Sequence, residues 1–207
     1  MQKRAEQTRQ ALIRATAELI ADGGVHDAGL VGICRSAGVS RGALYHHFPT
    51  KESLAAAVYE QARTEVAGLL AAAFAERAPG AAAARFSSAL VTALREVPTV
   101  RAGMRLGPDG STGPTRLREE VLGLVHREVI GRCPDGREAA ARDLADLAVV
   151  VTAGLESLGR TDGAWWQGEA SDRIWDVLRP LFGRSAAESN PVDQVNQVVN
   201  SPEAQAS

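Results

Sequence analysis

Residues 29–51 read GLVGICRSAGVSRGALYHHFPTK: two short helical runs on either side of a glycine. In the first, residues 30–37, Ile33, Cys34 and Ala37 fall on one side. Gly38-Val39 then forms a tight turn, glycine supplying backbone angles that other residues avoid. Ser40 is a good N-cap for the second run, Arg41 to about His47. Phe48-Pro49 ends that run, because the residue before a proline disfavours the helical region. Two short helices joined by a three-residue turn containing glycine are a helix-turn-helix pattern. The second helix exposes Arg41, Gly42, Tyr45 and His46. Gly42 and Ala43 are small enough for the backbone to approach a groove wall, while Arg41, Tyr45 and His46 can hydrogen-bond bases or phosphates. Thr50 caps a further helix opened by Lys51, whose free N–H groups, positive dipole end and ammonium together suit a phosphate oxygen.

Outward from this core the chain reads as helix after helix. Residues 6–22 place Leu12, Ala15, Thr16, Leu19 and Ile20 on one stripe, and Gly23-Gly24 stops the helix. Residues 51–76 run without proline, roughly 39 Å of helix at ~1.5 Å per residue, long enough to join a small N-terminal unit to a second one beyond it. Further helices are expected over residues 81–96, 99–106, 117–131, 137–158 and 171–182, with Pro180 near the end of the last. Loops are expected over 77–80, 107–114, 133–136 and 159–168. Residues 184–207 carry no helical stripe and read as a mobile, polar tail. Alternating strand patterns are nearly absent, so the expected fold is all-α with about nine helices.

Composition agrees. The 207 residues are 45% apolar and 23% charged, enough for one or two domains and a core that needs no staples. Of 23 basic residues only Lys3 and Lys51 are lysine; arginine and the abundant alanine both favour helix. No stretch reaches the ~18–20 apolar residues of a membrane span, and the polar N-terminus does not read as a secretory signal. Cys34 and Cys133 lie far apart with neither disulfide nor metal-site spacing, which points to a reducing cytoplasm. Net charge is −2, so the whole chain is no polyanion sponge. The first part, which holds Lys51, His26, His46 and His47, is slightly basic and permits local contact with phosphates.

The run AGVSRGALYHHFPTKESL, with LIRATAELIADGGV upstream, resembles the TetR family of bacterial transcriptional repressors over about residues 8–60. The likeness rests on Leu12-Ile13, Ala15-Thr16, Leu19-Ile20, Gly24, Ile33, Ala37-Gly38-Val39-Ser40, Gly42, Leu44-Tyr45, His47-Phe48, Lys51-Glu52 and Leu54. The chain departs from the pattern at Gly29, where the family usually has a hydroxyl residue capping the first helix of the motif. Gly32 lies inside that helix, at a cost of ~1 kcal/mol relative to alanine. Cys34 stands where alanine is usual, and Ile20 and Val25 stand where aromatics are frequent.

The resemblance implies a DNA-binding head over residues 1–52, in which Ser40, Arg41, Gly42, Ala43, Tyr45, His46, Thr50 and Lys51 meet DNA. Residues 53–183 would form a ligand-binding and dimerisation domain. Two subunits would pair through their last two long helices and bind a palindromic double-stranded operator as a homodimer, released by a small hydrophobic effector. Two apolar stripes agree with such an interface: Leu144, Leu147, Ala148, Val151, Leu155 and Leu158, then Ile174, Trp175, Leu178 and Phe182, with Leu181 on the same side of the last helix. Candidate pocket residues are Phe86, Leu90, Met104, Leu106, Leu117, Val121, Val125, Val149, Thr152 and Trp165. The runs VPTVRAGMRLGPDG and WWQGEASDRIWDVLRPLFG are similar to the γ-butyrolactone receptor branch, which implies a lactone-type signal. Leu117 stands where that branch often has a pocket tryptophan. The alternative is another lipophilic effector controlling an efflux or catabolic gene.

Catalysis finds no support. GxGxxG, P-loop and HExxH motifs are absent. Residues 38–42 match GxSxG by letter, but a nucleophile elbow needs a strand before it, and here helical sequence flanks both sides. Tyr45, His46 and His47 have no acidic or cysteine partner at helical spacing, so no metal and no cofactor are expected. A ligand-independent DNA-binding protein is the remaining class, and the sizeable second domain argues against it.

Overall fold

The computed structural model describes residues 2–23, 29–75, 78–106, 117–133 and 138–183. These form helices α1 (Gln2–Gly23), α2 (Leu30–Ala37), α3 (Arg41–His47), α4 (Lys51–Ala73), α5 (Pro79–Glu96), α6 (Pro98–Gly103), α7 (Leu117–Ile130), α8 (Glu138–Leu158) and α9 (Gly168–Gly183). A short 3₁₀ helix, Gly163–Trp166, lies between α8 and α9. No strand occurs among the described residues, and the fold is all-α as expected.

The differences lie at helix ends. α1 starts four residues before the expected position; its first turns are polar, and they are held by Thr8 Oγ1 donating to the Arg4 carbonyl and Gln10 Nε2 donating to Glu6. α4 stops at Ala73, where the Phe74 N–H caps it on the Leu70 carbonyl at 2.9 Å. α5 takes Pro79 at its first position, where a missing N–H costs nothing. Inside the loop expected over 159–168, the Asp162 side chain accepts from the Ala164 N–H and starts the 3₁₀ turn that buries Trp166. Pro180 sits inside α9 without ending it. The expected loop at 107–114 and tail at 184–207 lie outside the described residues.

Leu12, Ile13, Ile20, Ile33, Leu44 and Phe48 are buried together and hold α1, α2 and α3 as a head. Gly38 ends α2 in the left-handed region (φ 66°, ψ 32°). Its N–H reaches the Arg35 carbonyl, and the Val39 N–H reaches that of Cys34, a paired closure that satisfies the last carbonyls of the helix. A Cβ at Gly38 would meet nothing within 4 Å, so only the backbone conformation resists substitution. Gly38→Ala is therefore expected to lower stability by ~1–2 kcal/mol, read as a fall in the urea midpoint at unchanged slope.

One contiguous apolar core runs from Leu12 to Trp175. The expected boundary between residues 52 and 53 falls in the first turn of α4 and coincides with no break in this core. α6 joins head to body. Gly103 packs so closely on α4 that a Cβ there would lie 2.1 Å from that of Ala62. On the head side, Arg105 donates to the Ile20 carbonyl at 3.1 Å, and Arg101 lies 3.8 Å from Asp22. α4 is tied to α7 by the Tyr59 hydroxyl, which donates to Glu120 at 2.8 Å. Burial, then this bond, pushes the Tyr59 phenol well above its ordinary pKa. Glu156 of α8 is 2% exposed and pairs with both Arg118 of α7, at 2.9 Å, and Arg160. The Trp166 indole donates to its backbone carbonyl.

Candidate nucleic-acid interface

α3 is built to present one face rigidly. Ser40 Oγ accepts from the Ala43 N–H at 3.1 Å, and Leu44 anchors the helix from below at 1% exposure. At the far end Phe48 is buried beneath the Arg9 guanidinium, 5.5 Å from the ring centroid. What remains outward is Arg41, Gly42, Tyr45 and His46, all exposed, with Ala43 half-buried. Tyr45 is 44% exposed, which leaves much of its aromatic ring open to solvent. A Cβ at Gly42 would have only Ser40 Oγ near it, at 3.9 Å, so the backbone there is open to close approach.

α4 begins with a reciprocal cap. Thr50 Oγ1 accepts from the Ser53 N–H at 3.0 Å, and the Thr50 N–H donates to Ser53 Oγ at 3.2 Å. A hydroxyl that accepts from a backbone N–H keeps its own proton to donate, so Ser40 and Thr50 can serve both a cap and a phosphate. Lys51 is half-buried at the first helical position. The structure thus gathers all eight residues expected at DNA onto α3 and the start of α4. Gly29 precedes α2 in extended conformation without a side-chain cap.

The other two expected groups fare differently. Phe86, Leu90, Met104, Leu106, Leu117, Val121, Val125 and Thr152 are buried in the common core, with Val149 and Trp165 packed half-buried against it. The Thr152 hydroxyl is 2.8 Å from that of Ser87. A cleft of about 600 Å³ lies elsewhere, between α1 and the body, where Gln10 and Arg14 face Gln61 and Thr99.

Among the expected interface residues, Ala148, Leu155 and Trp175 are buried within the subunit and face inward. Phe182 packs against Gly80, and its ring lies tilted against that of Trp175 with the centroids 5.7 Å apart. Leu144, Leu147, Val151, Ile174 and Leu178 are half-buried flanks, and Leu158 is exposed. Sequence reasoning missed Val150 and Val177, which point to solvent at 66% and 77% exposure, whereas Leu181, read on the apolar side of the last helix, is 40% exposed. It also missed Val31 on α2, at 59%. The available signal was an apolar residue on the polar side of an amphipathic helix. Among the described residues, no group of three or more His, Cys, Asp or Glu side chains could hold a metal, and no helix is long and apolar enough to cross a membrane.

Residues 12–58 match the family of bacterial regulatory proteins designated tetR. Over these residues the head is similar to the TetR family. The HTH-type transcriptional regulator UidR of Escherichia coli (strain K12) is 41% identical to this chain over 61 residues, 30% of the chain and 31% of that relative. The A-factor receptor protein of Streptomyces griseus is 38% identical over 65 residues, 31% of the chain and 24% of the relative. The chain thus matches about a third of its curated relatives' length or less, and the TetR likeness in sequence is that of the head. Over the whole fold, the TetR-family protein CprB from S. coelicolor A3(2) covers 88% of this chain at a TM-score of 0.61 and 23% identity, with all of that chain covered. A γ-butyrolactone receptor described as ArpA-like also covers 88%, at a TM-score of 0.56 and 24% identity, again over its full length. At these identities the likeness shows that the body has a TetR-type fold.

Proposed function

We propose that the protein is a dimeric, sequence-specific DNA-binding repressor of the cytoplasm, released from its operator by a small hydrophobic effector. The observation that carries this reading is the capped, outward face of α3 within a TetR-like head. Arg41, Tyr45 and His46 read base edges in the major groove, Gly42 and Ala43 allow the close approach, and Ser40, Thr50 and Lys51 hold phosphates. Residues 1–52 act as the reader, and 53–183 hold effector and partner subunit. The dimer supports a palindromic site whose two recognition helices enter the groove one turn, ~34–36 Å, apart.

The exposed large apolar side chains support the pairing. Apart from Val31 and Tyr45 in the head, those among the described residues are Val150 and Leu158 on α8 and Val177 and Leu181 on α9. A second copy is what these two helices would cover.

The effector site lies among Phe86, Leu90, Met104, Leu106, Leu117, Val121, Val125, Val149, Thr152 and Trp165, with a lactone-type signal favoured by the A-factor and γ-butyrolactone receptor relatives. α6 supports the coupling, since Gly103 rides on α4 while Arg101 and Arg105 hold the end of α1. A hundredfold change in operator affinity needs about 2.7 kcal/mol of such coupling. A lactone that binds is expected to raise stability by about 2.7 kcal/mol at a hundred times its dissociation constant and to release bound duplex. A lactone that does the first and not the second would make it a ligand without a regulatory role.

Two head substitutions separate the contacts. Lys51→Ala should weaken binding to all duplexes alike and lower the slope of log affinity against log salt by about one. Arg41→Ala or Tyr45→Ala should instead cost about 1–3 kcal/mol of discrimination between the selected site and random duplex. Unchanged footprints for both would place another face on the DNA.

A further inference from the structure

We infer that Val31 is a specificity-determining residue whose methyl groups meet the 5-methyl group of a thymine in each operator half-site. This rests on the DNA-binding reading above. α2 packs inward through Ile33 and Cys34, at 0% and 7% exposure, whereas Val31 is 59% exposed. A Cβ at Gly32 would touch Leu19 of α1 at 3.7 Å, so α1 runs along that side of α2. Successive residues are about 100° apart around a helix, which puts Val31 on a flank about 100° round from the side that meets α1. Exposed Arg35 comes one turn later on the same flank.

Val31 is a branched apolar residue that is mostly exposed to solvent. It contributes nothing to the head core, and valine is a poorer helix former than the polar residues that could replace it in an eight-residue helix that already contains Gly32. Val31 and Tyr45 are the exposed large apolar residues of the described head, on the two helices of the motif. In a helix-turn-helix the second helix enters the major groove while the first crosses the backbone that borders it. The apolar feature which a major groove offers is the thymine methyl. Such a contact tells thymine from cytosine, a distinction complementary to the polar contacts of Arg41, Tyr45 and His46.

The test uses the full chain and a duplex selected from a random pool. Thymines of that duplex are replaced symmetrically, one position per half-site at a time, by deoxyuridine, which removes only the methyl. One buried methyl is worth about fourfold, so the natural chain should lose about fifteenfold over two half-sites at one position. Val31→Ala should bind the unmodified duplex more weakly and be indifferent to uracil at that position, while its helical content stays unchanged. The inference is overturned if no position carries a methyl penalty, or if the penalty persists undiminished in Val31→Ala, which would assign the methyl to another side chain. Failure of the natural chain to select any duplex is a separate result: it removes the DNA-binding reading itself and this inference with it.

Discussion

Val150→Glu combined with Val177→Glu should leave the protein monomeric and strip it of specific duplex binding. Both side chains are mostly exposed in the single subunit, at 66% and 77%, so the substitutions disturb no intrachain packing, and helical content should stay the same. In the proposed pair they would bury carboxylates without partners at the centre of the contact, which costs several kcal/mol. A single head then has only one half-site to hold. Specific complexes are typically ~10³–10⁷ tighter than the same protein on random sequence, and loss of the pair should forfeit at least about a thousandfold at fixed salt. Sedimentation at micromolar concentration gives the mass, and a shift assay at constant ionic strength gives the affinity. A double variant that sediments and binds like the natural chain would mean that α8 and α9 do not join subunits.

Arg118→Ala combined with Arg160→Ala should cost about 3–5 kcal/mol of folding stability. Glu156 is 2% exposed and both arginines reach its carboxylate. Removing them strands a charge where water does not enter, in a fold whose total stability is about 5–15 kcal/mol. Each arginine is itself one-third exposed, so the reverse change is milder: Glu156→Gln leaves two cations that solvent can reach. Adding Glu156→Gln to the double variant should therefore restore part of the loss. Urea unfolding tracked by circular dichroism reads all of these as midpoint shifts at constant slope. Equal stability of the double variant and the natural chain would show that Glu156 draws no net support from the pair.

The head was legible because its signals are local. Gly38 in the left-handed region, Ser40 and Thr50 as caps, and Phe48-Pro49 as a stop each act within a few residues, so α2 and α3 have the bounds the sequence suggests. The body was legible in its helices and less so in which way they face. α8 is apolar on more than one side. Its inward stripe is built largely of small residues, Ala141, Ala145, Ala148, Thr152 and Leu155, while bulkier Leu144, Leu147 and Val151 lie on its flanks. A stripe read by side-chain size therefore mixes core with surface, and Ala148, Leu155 and Trp175 turned out to face inward. The tie between Glu156, Arg118 and Arg160 joins α8 and the turn after it to α7, 38 residues away from Glu156 in the case of Arg118. No periodicity within one helix encodes a pairing of that range.

Selection of bound duplexes from a random pool by the unmodified chain, with competition at moderate ionic strength as the second step, addresses the role of α3 most directly. The expected product is a palindrome whose half-sites are centred about one helical turn apart, bound by two subunits and resistant to excess random duplex. Enrichment of no sequence, or retention of a lone subunit without preference over competitor, would contradict it.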